Sequence, residues 1–212
     1  SIRGYSSFLL EGEYGRIPSP AIQAIEVISR SGEHMNVVIE EYRRLSDFES
    51  GTFELSLDEV DIIPFLRECA DELAPHARAH DHTCTVSVSG RNPRLVQLDR
   101  ARMRQVIHNL AENAFAYTPA GSHVCLECAE NTDAVCVYVT DNGPGVPENE
   151  REHIFQKFER GAHGTRAGSG SGLGLYIARK IVERHNGTLQ VEDAPQGGAR
   201  FEIRIPRAHP RS

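Results

Sequence analysis

Between residues 21 and 49, apolar side chains return every seventh position. Ile28, Met35 and Tyr42 form one series, while Val38 and Leu45, continued backward by Ser31 and Ala24, form a second. So narrow a seam predicts a long helix of a coiled-coil-like bundle. A shorter helix over residues 2–11 precedes it, and the turn-rich stretch 12–20 joins the two, so residues 1–51 read as a helical hairpin with a short first arm. A lone hairpin buries too little apolar surface to be stable alone, which predicts a homodimer formed through it.

Beyond Gly51 the pattern changes, and residues 52–212 read as a second domain. Residues 53–57 alternate as a strand. Asp61 then caps a helix whose apolar stripe is Ile62, Phe65, Leu66, Cys69, Ala70 and Leu73. Residues 83–89 and 94–98 read as a strand pair around the turn Gly90, Arg91, Asn92, Pro93. A second helix covers 99–117, strands follow at 123–129 and 134–141, a third helix covers 173–185, and strands at 188–192 and 200–205 close the chain. Three helices against a sheet predict an α+β two-layer sandwich preceded by the dimerising hairpin.

Composition narrows the function classes. The chain has 212 residues, 39% hydrophobic and 25% charged, which is ordinary for a globular protein. Its net charge of -7 gives no basic footprint, so nucleic acid is not an expected partner. No apolar run reaches the ~18 residues of a membrane span, and the N-terminus has no charged-then-apolar signal pattern. The expectation is a cytoplasmic fragment without membrane contact of its own, whatever tethers a longer parent. The five Cys fall within predicted helices and strands and read as reduced thiols; Cys125 and Cys128 point to opposite faces of one strand. His76, His80, His82 and Cys84 have metal-ligand chemistry, but at a helix-to-strand junction they read first as a solvated connection.

Three features carry chemistry. On the second helix Gln105, Asn109 and Asn113 are spaced four apart on one face, with Ala116 and Tyr117 completing it; a row of carboxamides beside core residues needs partners, unless that face is simply solvated. On the following strand Val135, Val137, Val139 and Asp141 share a face, so the alternation that buries three valines aims a carboxylate inward. Gly143 and Gly145 follow at once and let the backbone approach a flat ligand. The third feature, residues 168–175, reads Gly-Ser-Gly-Ser-Gly-Leu-Gly-Leu and opens into a helix, whose free N–H groups and dipole suit phosphate oxygens.

In this order, the features resemble the boxes of sensor histidine kinases. Asn109-Leu110-Ala111-Glu112-Asn113-Ala114 with Tyr117-Thr118-Pro119 is similar to the asparagine box, and residues 141–145 to the first glycine box. Residues 154–161 (Ile-Phe-Gln-Lys-Phe-Glu-Arg-Gly) resemble the phenylalanine box, and residues 170–174 the second glycine box. The resemblance implies the Bergerat-type ATP-binding fold shared with DNA gyrase, the Hsp90 chaperones and the MutL repair proteins. It implies ATP and Mg²⁺ as ligands, a histidine on a dimerisation hairpin as phosphoryl acceptor, and a response-regulator receiver domain as partner. By position, Asn113 would ligate the metal, Asn109 would assist around metal and phosphates, and Tyr117 would pack near the nucleotide. Asp141 would accept a hydrogen bond from the adenine amino group in a pocket shaped by Gly143 and Gly145. Arg160, Gly170, Gly172, Leu173 and Gly174 would hold the phosphates under a lid spanning about residues 161–171, with Asn109 and Arg160 acting in catalysis.

Two departures from the family pattern stand out. Ala116 occupies the place where these kinases often carry a phosphate-reaching Lys, which predicts weaker nucleotide binding or slower transfer. None of the ten His has the acidic neighbour and Thr-Pro pair of an acceptor box; those residues would precede Ser1, so the expectation is a chain that binds ATP without phosphorylating itself at the usual site. A non-catalytic, nucleotide-responsive dimerisation module is the alternative reading.

Overall fold

Two units make up the chain, Ser1–Gly51 and Thr52–Ser212, in a computed structural model that describes residues 2–15, 17–49, 54–79, 81–89, 95–130, 133–159 and 171–207. The first unit is two helices, α1 (Ile2–Leu10) and α2 (Ser19–Glu49), packed against each other. Pro20 sits in the first turn of α2, where its missing N–H costs no helical bond, so the helix starts ahead of the periodic seam. Ile2, Tyr5 and Phe8 on α1 and Val27, Ile28, Met35 and Ile39 on α2 are exposed, Met35 at 56%. Ala24 and Ser31 of the predicted seam are exposed too, and the side chains of Val38, Tyr42 and Leu45 lie outside the described residues.

The second unit contains β1 (Asp58–Asp61), α3 (Ile62–Ala79), β2 (Thr83–Ser89), β3 (Leu95–Leu98), α4 (Arg100–Tyr117), β4 (His123–Glu130), β5 (Ala134–Asp141), α5 (Gly174–Arg184), β6 (Thr188–Asp193) and β7 (Ala199–Pro206). Five strands form one mixed sheet in the order β2-β4-β5-β7-β6, in which only β2 and β4 run parallel. The register places Val139 between Leu126 and Phe201, and Val137 between Cys128 and Ile203, all of them buried. The buried stripes of α3 (Phe65, Leu66, Cys69, Leu73), α4 (Met103, Val106, Ile107, Leu110) and α5 (Ile177, Ala178, Ile181, Val182) supply the other half of this core. The α+β sandwich expected from the sequence is therefore the architecture found.

Two strand expectations fail. Residues 54–57 are not a strand; the pairing begins at Asp58, where Val60 faces Val96 of β3 and both are buried, whereas Leu57 is exposed. The predicted hairpin between β2 and β3 does not form either. β3 pairs antiparallel with β1, and β2 joins β4 in parallel. A local turn signal registers only sequence neighbours, while burial of Val96 and Leu98 is satisfied by a strand that precedes α3.

α4 and α5 are fastened together at two places. At one, buried His185 accepts a hydrogen bond from Asp99 N–H (2.9 Å) through Nε2 and donates from Nδ1 to Ile181 O (2.8 Å). Asp99 in turn caps α4 by accepting from Arg102 N–H at 3.0 Å. At the other, Asn109 Nδ2 donates to Gly174 O at 2.9 Å. The first contact holds the end of α5 beside the start of α4, and the second holds the start of α5 beside the middle of α4.

Candidate functional site

Asp141 is the last residue of β5, on the same face as Val135, Val137 and Val139, and is 7% exposed. Its Oδ1 accepts from Gly143 N–H at 2.8 Å and from Ala199 N–H at 3.2 Å. Oδ2 receives no hydrogen bond among the described residues. Burial pushes its carboxyl above the usual range, and the two backbone donors counteract only part of that. The folded state thus holds a proton more readily than the unfolded chain just above the ordinary Asp range, so the cost of the buried charge appears as pH rises through the raised folded pKa. Urea unfolding between about pH 4 and pH 7 is expected to show Asp141→Asn gaining stability relative to the parent chain as pH increases. Equal slopes for the two proteins would contradict this.

Two backbone approaches set the walls around that carboxylate. At Gly143 an added Cβ would lie 2.5 Å from Thr118 Cγ2 and 3.0 Å from Asp141 Oδ1. At Gly198, in the β6–β7 turn, φ is +102° and a Cβ would lie 2.0 Å from Asp141 O. Gly145 sits opposite the same turn, where a Cβ would be 3.2 Å from Gly198 O. Arg151 brackets the loop, donating from Nε to Val146 O (3.2 Å) and from Nη2 to Asp193 Oδ1 (2.6 Å).

The carboxamide row of α4 runs between this loop and α5. Thr118, beside Gly143, ends the helix, and Asn109, bonded to Gly174 O, lies in its middle. Asn113 is half-buried one turn from each, and its side chain makes no hydrogen bond to a described residue. Tyr117 and Ala116 are exposed at the helix end. The segment before α5 turns sharply at Gly172 (φ +75°), where a Cβ would come within 2.8 Å of Phe158 C, and Phe158 N–H donates to Gly172 O at 3.0 Å. Leu173 is buried and offers α5 no side-chain cap; its own N–H donates to Ser171 Oγ at 3.1 Å, while the N–H groups of Gly174, Leu175 and Tyr176 have no acceptor among the described residues. Arg160, Gly170 and the rest of the expected lid, residues 161–169, lie outside the described residues.

The structure thus joins Asp141, Gly143 and Thr118 at the end of α4, sets Gly145 against the turn that also meets Asp141, and joins Asn109 to Gly174 at the start of α5. Sequence reading missed Gly198, Ala199 and Arg151. The Gly197-Gly198 pair was legible as a turn, but nothing local tied that turn to Asp141. His82, one of the suspected metal ligands, is bonded to Thr118 Oγ1 at 2.7 Å; His80 lies outside the described residues, and no metal-holding group occurs among the described ones.

Comparison with known proteins identifies the family. Residues 98–209 match the family described as histidine kinase-, DNA gyrase B-, and HSP90-like ATPase. The chain is similar to the signal transduction histidine-protein kinase AfsQ2 of Streptomyces coelicolor, 32% identical over 93% of this chain and 35% of that protein. It is 31% identical to the sensor histidine kinase TmoS of Ectopseudomonas mendocina over 97% of this chain and 21% of that protein. It therefore spans about a third or less of these relatives. Full-length ShkA, crystallised in complex with AMPPNP, superposes with a TM-score of 0.79 at 27% identity, covering 100% of this chain and 44% of that one.

Proposed function

The chain belongs to the histidine kinase-, DNA gyrase B- and HSP90-like ATPase family as a sensor histidine kinase catalytic core, and from that premise we propose that it binds ATP with Mg²⁺ and transfers the γ-phosphoryl group to a histidine on a dimerisation hairpin, for relay to an aspartate of a response-regulator receiver domain. The observation that carries the reading is the buried Asp141 carboxylate, its Oδ1 committed to two backbone donors and its Oδ2 left for a ligand donor. An adenine amino group supplies such a donor. The start of α5, without a side-chain cap, suits the phosphates, with Gly172, Gly174 and Leu173 holding them, the last by exchanging its bond to Ser171 Oγ for one to phosphate. Arg160 and Gly170 complete the phosphate contacts in this reading, and Tyr117 borders the nucleotide.

Asn113 fits a metal-binding role because its amide, half-buried and without a described partner, offers the hard oxygen that Mg²⁺ prefers alongside phosphate oxygens. A bound Mg²⁺ would neutralise phosphate charge. Asn109 stands one turn before Asn113, where hydrolytic relatives would need an acidic base; a carboxamide already donating to Gly174 O cannot take a proton from water, which supports transfer over hydrolysis. Incubating the chain with labelled ATP and a separate hairpin protein bearing an acceptor histidine tests the proposal. Acid-labile label on the hairpin is the expected result, and an unlabelled hairpin with ATP bound would contradict transfer.

Ala116 is exposed at the C-terminal end of α4. Restoring a cation there with Ala116→Lys is expected to tighten ATP binding by about threefold to tenfold, the effect of a charge pair in partly screened surroundings. An unchanged dissociation constant would show that another cation already serves. For the hairpin, the exposed row Ile28, Met35 and Ile39 supports the homodimer reading. Met35→Glu is expected to convert dimer to monomer in sedimentation, and an unaltered dimer would count against that face.

A further inference from the structure

His82 is 5% exposed and plays no part in the site as derived above. Its ring stands edge-on to Phe115 of α4, with centroids 5.6 Å apart. Its backbone is anchored as well, because His82 N–H donates to Ala77 O at 2.7 Å and the preceding Asp81 O accepts from Gly121 N–H at 2.9 Å. The ring's Nε2 lies 2.7 Å from Thr118 Oγ1. That hydroxyl gives its own proton to Ala114 O at 2.7 Å, so toward His82 it acts as acceptor and the shared proton sits on Nε2. With Oγ1 held by two partners, Thr118 is locked in one rotamer. Its methyl is then directed at Gly143, where no Cβ would fit, and the N–H of Gly143 donates to Asp141 Oδ1 at 2.8 Å.

We propose that His82 is a positioning residue for purine recognition: through Thr118 and Gly143 it fixes the orientation of the Asp141 carboxylate. The inference rests on the reading of Asp141 as acceptor for the adenine amino group. His82 touches no nucleotide in this arrangement. Its effect falls on discrimination at the purine edge, because a free Thr118 lets Gly143 shift and turns the carboxylate away from the line of the amino hydrogen bond, which weakens steeply with angle.

Titration of the full chain with ADP and with IDP, which carries a carbonyl in place of the adenine amino group, tests this. The parent chain is expected to prefer ADP by about tenfold or more, the value of one hydrogen bond to a charged acceptor. His82→Ala is expected to reduce that preference to about threefold or less, with IDP affinity little changed. His82→Gln, whose amide N–H replaces the Nε2 donor, is expected to restore it. Thr118→Val keeps the side-chain shape without the hydroxyl acceptor and should behave as His82→Ala, so the readout survives if one variant does not fold. A lowered melting temperature with the parent's ADP-to-IDP ratio intact would show a merely structural role and overturn the inference. Absence of any ADP preference in the parent chain would instead defeat the reading of Asp141, and this one with it.

Discussion

Asp141→Asn is expected to weaken nucleotide binding severely while leaving the chain folded. The asparagine carbonyl can still accept from Gly143 N–H and Ala199 N–H, so the backbone contacts of the site survive. Its NH₂ then takes the place of Oδ2 and meets the adenine amino group donor to donor. Losing a hydrogen bond to a charged acceptor and leaving a buried donor unmet costs about 3 kcal/mol, or about a hundredfold in affinity. Calorimetric titration with ADP is the measurement, paired with a melting curve. At neutral pH the variant should melt no lower than the parent, because removing a buried charge offsets any small loss in the backbone bonds. Binding within about threefold of the parent would remove Asp141 from the purine site.

Gly198→Ala is the second large effect, and it acts from a residue that touches no ligand in the proposed arrangement. At φ +102° an L side chain is strained by about 1–3 kcal/mol, and the added Cβ would lie 2.0 Å from the Asp141 carbonyl oxygen, so the β6–β7 turn and the end of β5 must move apart. That movement carries Ala199 N–H away from Oδ1. A loss of roughly 3 kcal/mol of stability or more, with nucleotide affinity falling at least tenfold, is expected. Gly197→Ala is the built-in control. It also has positive φ, +89°, but a Cβ there meets nothing within 4 Å, so only the backbone term of about 1 kcal/mol applies and nucleotide binding should be kept. Equal behaviour of the two variants would show that strain alone, not the contact with Asp141, governs this turn.

Much of the site was legible because it is written in short-range periodicity. A strand alternates every two residues, so three buried valines fixed the direction of Asp141 without any knowledge of its neighbours. A helix repeats every 3.6, so Asn109 and Asn113 had to share a face. The partners of those groups were not legible. Ala199 is 58 residues from Asp141, and Gly174 is 65 from Asn109. Gly198 carried a turn signal that could have been discounted as a plain hairpin, yet its missing side chain is what lets two loops meet over one carboxylate.

The amino-acid sequence by itself determined the helices of the second unit, six of its seven strands to within a residue, the inward acid and the order of the glycine-rich segments, because each is set by residues within a few positions of one another. Only the tertiary structure decided that β3 leaves β2 for β1, that β2 lies parallel to β4, and that the ends of β5, α4 and the β6–β7 turn converge on Asp141. Pairing between distant segments follows from which buried surfaces match and which backbones can approach. That information resides in shape and contact across the fold, not in the local spacing of residue types.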